Sequence, residues 1–259
     1  MYSLLSDLIR YHELLFNLTL RDIKSRYAQS FLGIAWALIQ PLSLVLVFTV
    51  IASFVKISSE GIPRPIFYYA ALLPWTFFSS ALNVAIPSVV SNSNLVKKIY
   101  FPREIFPMAA ILASFFDLCI SAVIFAAFFI YYQVSITSYI LFVPLLLLVQ
   151  MIFMLAISLL GAGLNVYFRD IRAALPLVLQ LWMYASPVLY PLSVVPEKWR
   201  SLYLLNPMAG LIEGFRRVML KGQPPDYTAL LVSFGASLLL LFLCYRIFKR
   251  LERKFADVI

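Results

Sequence analysis

Lys97 and Lys98 stand side by side in the stretch SNSNLVKKIYFPREIFP (residues 91–107), followed by Arg103 and Glu104, with long and nearly uncharged runs on both sides. A compact cationic island can hold phosphates or carboxylates by charge. It can also fix which end of an apolar span stays on the cytoplasmic side, because Lys and Arg are retained there. Two further groups share the character: Arg21, Lys24 and Arg26 near the N-terminus, and Arg169, Asp170 and Arg172 later in the chain. Residues suited to making and breaking bonds are sparse. The single histidine, His12, lies in the N-terminal segment, and the chain carries no G-x-x-x-x-G-K-[ST], no G-x-S-x-G and no H-E-x-x-H. The acids are scattered, and Asp117 is the one set deep in an apolar run. An acid there is costly in lipid and a functional candidate by default. The plainer account is a carboxylate bonded to a Ser or Asn of a neighbouring helix. By elimination, the residues point to passage across a membrane and not to catalysis.

Composition agrees. The chain is 63% hydrophobic and 13% charged, against about 45–50% and about 25% in soluble domains. Its net charge of +9 sits in short islands between apolar runs, which is not the single basic face of a nucleic-acid binder. Cys119 and Cys244 lie in separate apolar runs and form neither a disulfide framework nor a metal spacing. Charges through the first thirty residues interrupt any signal-peptide core, so the first span is expected to act as its own insertion signal.

The elements that must position these residues are all helical. We expect an all-α membrane protein forming a single transmembrane domain over residues 1–259. Residues 1–30 read as an amphipathic helix lying in the membrane interface: Ser6, Arg10, Glu13, Asn17, Arg21 and Lys24 share one face, and Leu4, Leu8, Ile9, Leu15, Phe16, Leu20 and Ile23 fill the remainder. Six spans follow within residues 31–248: 31–55, 66–90, 105–132, 138–165, 173–190 and 227–248. Residues 249–259 form a charged tail. Of the 21 Lys and Arg residues, fourteen fall on the side of the N-terminal helix, the two later islands and the tail. Both termini are therefore expected in the cytoplasm.

Residues 191–225 are too broken for a plain span and too apolar for a plain loop. Two short pieces, 199–205 and 208–220, flank Asn206-Pro207, which suits an N-cap followed by the first helical position. The expectation is a re-entrant periplasmic hairpin with Glu213 close to Arg216 and Arg217. Non-helical backbone at membrane depth is tolerated only against protein or a water-filled cavity, so this hairpin should border a pathway.

The order of motifs carries a resemblance over nearly the whole chain. Leu20-Arg21-Asp22-Ile23-Lys24-Ser25-Arg26-Tyr27 is followed by Ser30-Phe31-Leu32-Gly33-Ile34-Ala35-Trp36, Gln40-Pro41-Leu42 and Leu73-Pro74-Trp75. Then come Asn94-Leu95-Val96-Lys97-Lys98, Phe101-Pro102, Tyr167-Phe168-Arg169-Asp170-Ile171, Ser186-Pro187-Val188-Leu189-Tyr190 and Leu205-Asn206-Pro207-Met208. This resembles the permease subunit of bacterial ABC exporters for cell-surface polysaccharides, of the O-antigen, capsule and teichoic acid type. The resemblance implies a homodimer paired with two copies of a separate ABC ATPase, in the bacterial inner membrane. That partner would bind ATP and Mg, and this chain would need no cofactor. The substrate would be a polysaccharide on undecaprenyl-diphosphate, with membrane lipid as the other neighbour and no nucleic acid.

On that reading Lys97, Lys98, Arg103, Glu104, Arg169 and Asp170 are candidates for ATPase docking, with topology alone as the simpler role. Trp36, Trp75, Phe77, Phe78, Trp182, Tyr184 and Tyr190 are candidates for sugar-gripping channel walls, or for an interfacial aromatic belt. Arg21, Lys24 and Arg26 are candidates for the lipid diphosphate, since Arg forks match phosphate oxygens. Trp199, Asn206, Pro207, Met208, Glu213 and Arg216 would form a periplasmic gate. A drug or lipid exporter permease is the alternative within the superfamily. An integral membrane transferase would need clustered acids or histidines at one membrane face, and a bare anchoring subunit would leave the aromatics without purpose.

Overall fold

The computed structural model of the protein describes residues 9–28 and 33–258, and these form helices and turns without a strand. Leu4, Ser6, Leu8 and the Ser30-Phe31-Leu32 motif lie outside the described residues. Helix α1 spans His12–Tyr27, with Glu13 in its first turn and Lys24 and Arg26 in its last, each matching the helix dipole. Leu18 is buried, Leu14 and Leu15 pack on the core, and Ile9 and Phe16 remain exposed. The apolar side is thus divided, with one stripe against protein and another exposed.

After a 3-10 turn at Gly33–Ala35, helix α2 (Trp36–Val55) carries Pro41 buried within it. Helix α3 (Arg64–Ala85) starts behind Pro63 and is the axis of the molecule: every residue from Ile66 to Trp75 is buried, as are Phe77, Phe78, Ala81 and Leu82. The expected span of 66–90 ends at Ala85, where Pro87 denies the helix a backbone donor. Short helices α4 (Ser88–Ser91) and α5 (Ser93–Lys98) follow. Then come α6 (Ile105–Tyr131), a 3-10 turn at Ser138–Phe142, α7 (Val143–Tyr167) and α8 (Asp170–Tyr184). The expected fifth span of 173–190 runs helically only to Tyr184, ahead of Ser186-Pro187. After it lie α9 (Glu197–Tyr203) and α10 (Pro207–Met219), and α11 (Tyr227–Glu252) and α12 (Phe255–Val258) close the chain.

Among the described residues, four helical segments are long and apolar enough to cross a membrane: Gly33–Val55, Ile105–Tyr131, Ser138–Tyr167 and Tyr227–Glu252. Helix α3 has 22 residues, which is spanning length at about 1.5 Å per residue. It is less apolar because other helices, and not lipid, surround it, so Tyr68, Tyr69, Thr76 and Ser79 are tolerated along it. Helix α8 has 15 residues, roughly 22 Å, and falls short of a hydrocarbon core of about 30 Å.

Hydrogen bonds between helices supply the glue that apolar faces cannot provide in lipid. Gln150 Nε2 donates to the Pro74 carbonyl at 2.6 Å, Tyr69 Oη to the Ser121 carbonyl at 2.9 Å, and Ser121 Oγ to the Ala37 carbonyl at 2.9 Å. The close crossing of α10 and α11 depends on Gly210, where an added Cβ would sit 2.5 Å from Ser233 Oγ and 3.1 Å from the Ala229 carbonyl oxygen. Gly210→Ala should lower the thermal unfolding temperature in detergent, by an overpacking cost of about 1–3 kcal/mol. Gly235→Ala, on α11 with nothing within 4 Å of the new methyl, should leave that temperature unchanged or slightly higher.

Candidate functional site

One end of the bundle gathers the cationic islands. Lys97 and Lys98 finish α5 in exposed positions, and Ile99 and Tyr100 beyond them are also exposed. Arg103 turns inward and donates to the carbonyls of Val96 and Ile99 at 2.9 Å and of Phe101 at 3.0 Å. It thereby caps the C-terminal end of α5 with a cation, where the helix dipole favours one. Glu104 is fully buried and ion-paired to Lys249 at 2.9 Å, which also meets Glu252 at 2.9 Å. Burial pushes the Glu104 carboxyl above the ordinary carboxylate range, against the pull of the Lys249 hydrogen bond. The Arg103 backbone N–H donates to Glu252 at 2.9 Å, and Tyr167 Oη donates to the Leu251 carbonyl at 3.0 Å. The central island and the end of α7 are therefore both stapled to the end of α11. Arg169 and Asp170 stand exposed at the start of α8. Of the six docking candidates, Lys97, Lys98, Arg169 and Asp170 are available at the surface. Arg103 and Glu104 are instead internal supports, because the loop needs its carbonyls and its junction to α11 satisfied.

Beside this face, α1 roofs two adjoining clefts. One, of about 490 Å³, is lined by residues that include Arg21, Ser25, Arg26, Asn83, Ser88 and Asn92. The other, of about 320 Å³, includes Arg26, Tyr27, Trp36, Gln40, Asn83 and Asp117. Arg21 pairs with Asp22 at 2.8 Å, and Lys24 is exposed. Arg26 is ion-paired to Asp117, and Tyr27 donates its hydroxyl to the same carboxylate. The intramembrane acid is therefore held by Arg and Tyr of α1, where a Ser or Asn partner was expected.

The aromatic set divides sharply. Trp75, Phe77 and Phe78 are buried within the subunit: Phe78 stacks on Phe153 with centroids 5.7 Å apart, and Trp182 meets Phe78 edge-on at 5.2 Å. Phe78 thus ties α3 to α7 and α8, Phe77 meets Phe115 of α6 with centroids 5.9 Å apart, and none of the three stands on the surface of the chain. Trp36 and Tyr184 are exposed, and Tyr190 bonds the Tyr203 hydroxyl at 2.8 Å.

At the opposite end, α10 is buried almost throughout. Asn206 caps it as expected, its Oδ1 accepting from the Met208 N–H at 3.1 Å with Pro207 in the first turn. The same side chain accepts from Trp182 Nε1 at 3.1 Å and donates to Ser186 Oγ at 2.9 Å. Met208 is buried and Trp199 exposed. Arg216, with no exposed surface, donates to the carbonyls of Pro187 at 2.5 Å, Val188 at 2.7 Å and Tyr190 at 3.1 Å, and lies 4.0 Å from the Phe67 ring centroid. The acid expected beside it, Glu213, pairs with Lys221 at 2.9 Å, and Lys221 also meets Glu60 at 2.7 Å. Glu60 accepts from Ser193 Oγ at 2.7 Å. Partial burial alone would raise the Glu60 carboxyl, but the hydrogen bonds from Lys221 and Ser193 and the charge of Arg216 hold it below its ordinary range. Neither Glu60 nor Lys221 carried a motif, and the contact between them spans most of the chain, so spacing gave no signal.

These features define an all-helical integral membrane protein with a cationic face at one end and a buried, ion-clamped short helix at the other. The chain belongs to the ABC-2 type transporter family, whose profile matches residues 13–220. It is similar to the O-antigen export system permease protein RfbA of Myxococcus xanthus, at 31% identity over 100% of both chains. It is also similar to the protein of that name from Klebsiella pneumoniae, at 28% identity over 95% of each. The polysialic acid transport protein KpsM of Escherichia coli matches at 24% identity, over 91% of this chain and 92% of its own length.

Two outcomes test this end of the molecule. Arg216→Met leaves three carbonyls without their donor, at about 1–3 kcal/mol each. Arg216→Lys keeps the charge without the planar fork. Both should unfold at markedly lower temperature than wild type and gain protease sensitivity between residues 187 and 206. For Glu60, a depressed carboxylate stabilises the fold above its unfolded value of about 4.3 and loses that contribution as pH falls through the folded one. The gap in unfolding temperature between wild type and Glu60→Gln should therefore be present at pH 7, narrow as pH falls below about 4.3, and close only beneath the depressed folded value.

Proposed function

We propose that this chain is the permease subunit of an ATP-driven exporter in the bacterial inner membrane. Two copies would pair with two copies of a separate ABC ATPase and pass undecaprenyl-diphosphate-linked polysaccharide, of the O-antigen kind, from cytoplasm to periplasm. The observation that carries this reading is full-length similarity to O-antigen export permeases at 31% and 28% identity. ATP and Mg would be bound by the partner, and no step of the cycle would be catalysed by this chain.

In this reading both termini are cytoplasmic, and α3, together with α8 continued by the non-helical residues 185–190, completes six spans with the four apolar helices. Residues 191–225, with α9 and α10, are the re-entrant periplasmic hairpin. The burial of α10 and the carbonyls gathered by Arg216 support a helix held at depth by protein. The exposed Lys97, Lys98, Arg169 and Asp170 would receive the ATPase on a support made rigid by Arg103 and Glu104. Trp36 and Tyr184, exposed on the single chain, are the aromatics available to a channel between two copies. The buried Trp75, Phe77 and Phe78 would set the shape of its wall, and Arg21, Lys24 and Arg26 would meet the diphosphate headgroup.

The test is ATP hydrolysis by the permease–ATPase complex in lipid nanodiscs, with and without polyprenyl-diphosphate-linked glycan. Stimulation by the glycan is expected, with loss of stimulation and of ATPase co-purification in a Lys97→Glu, Lys98→Glu double variant. Stimulation by small amphiphiles alone would instead indicate a drug or lipid exporter.

A further inference from the structure

Asp117 directs its described polar contacts at α1, to Arg26 and Tyr27, while the other arm of Arg26 reaches the buried Ser114 Oγ at 3.3 Å. The pair is the polar lock between α1 and α6, yet it is not sealed. The Arg26 and Asp117 side chains keep 24% and 18% of their exposure, and both line the cleft of about 320 Å³. Arg26 and Asn83 also form the seam to the wider cleft of about 490 Å³. There the other arginine, Arg21, is already occupied by Asp22.

Asp117 also lines a third, adjoining cavity of about 50 Å³, with Gln40, Thr76, Ser80, Ser114 and Ser121 in its lining. A water needs roughly 10–15 Å³ of such space and two or more polar partners, so this cavity can hydrate the carboxylate. A lone charge stranded in a dry interior is what makes breaking a buried pair so costly. Here Asp117 has a hydrated place to remain when its cation leaves. Arg26, for its part, faces an open cleft large enough to admit another anion.

Resting on the reading of the chain as a permease for a lipid-diphosphate-linked polymer, we propose that Arg26 exchanges partners. Asp117 holds it, and with it the end of α1 against α6, until a phosphate of the lipid headgroup enters the cleft and takes it over. Asp117 is then a positioning residue and an internal competitor of the headgroup. A ligand shifts such an equilibrium only by its differential affinity for the two states. Weakening the competitor must therefore tighten headgroup binding, whereas removing Arg26 must weaken it.

The opposite signs make the test. The permease–ATPase complex is placed in phosphatidylcholine nanodiscs, and binding of a fluorescent polyprenyl diphosphate is titrated for wild type, Asp117→Asn, Arg26→Ala and the double variant. We expect Asp117→Asn to bind about tenfold tighter, Arg26→Ala about tenfold weaker, and the double variant to match Arg26→Ala. Thermal stability should fall in both single variants, so that readout alone would not separate a switch from a strut. Both single variants moving affinity in the same direction would overturn the proposal. So would phosphatidylglycerol displacing the diphosphate at equimolar concentration, which would assign the cleft to bulk lipid. Should Arg26→Ala fail to assemble, Arg26→Gln carries the same comparison. A wild-type complex that is stimulated by glycan but lacks the opposite signs loses the switch and keeps the transport reading. A wild-type complex that binds no polyprenyl diphosphate loses both.

Discussion

Where a helix breaks within the protein, buried carbonyls are out of reach of water, so protein must supply the partners. The structure meets this constraint with two arginines. Arg216 gathers the carbonyls of Pro187, Val188 and Tyr190 where the chain leaves α8, and Arg103 gathers those of Val96, Ile99 and Phe101 where it leaves α5. Each guanidinium also lies near an aromatic ring, Phe67 at 4.0 Å and Phe101 at 5.1 Å, which compensates part of its own desolvation. The breaks after α5 and α8 are organised around these forks. The 13-residue α10 lies buried because its approach is satisfied by Arg216, and Lys97 and Lys98 stand out because their helix is capped from within.

The two ends consequently differ in character. At the end bearing the basic islands, buried charges form the support and exposed charges form the contact surface. Glu104, Lys249 and Glu252 bind the central loop to α11, and Tyr167 binds α7 to the same place. A load applied to α5 therefore passes into long helices over short, polar connections. At the opposite end Lys221 bridges Glu60 and Glu213, joining the loop before α3 to the short helix α10. Between them α3 is enclosed by protein from Ile66 to Leu82, which permits its tyrosines, its proline and its hydroxyls there.

Much of this was legible in the residues. The apolar runs gave the long helices, the basic islands gave one common face, Asn206-Pro207 gave a capped helix start, and the order of motifs gave the family. What was not legible depends on distant partners. Arg103 and Glu104 look like surface charges beside Lys97 and Lys98, but Arg103 folds back on the carbonyls of its own loop and Glu104 is drawn inward by Lys249 at the end of α11, some 145 residues away. Trp75, Phe77 and Phe78 look like any aromatic group at a span end, until Phe153 and Trp182 close over Phe78 and Phe115 meets Phe77. Glu213 does lie one turn from Arg216, as the spacing implies, but its ion pair is with Lys221, which the spacing does not show.

The sequence by itself determined composition, and with it the all-helical class, the membrane setting and the family, because each follows from local runs of side chains and their order. Only the tertiary structure decided which charged and aromatic side chains are outward and which are internal. A side chain's exposure is set by what packs over it, and in this chain the covering group lies on a helix far away in sequence.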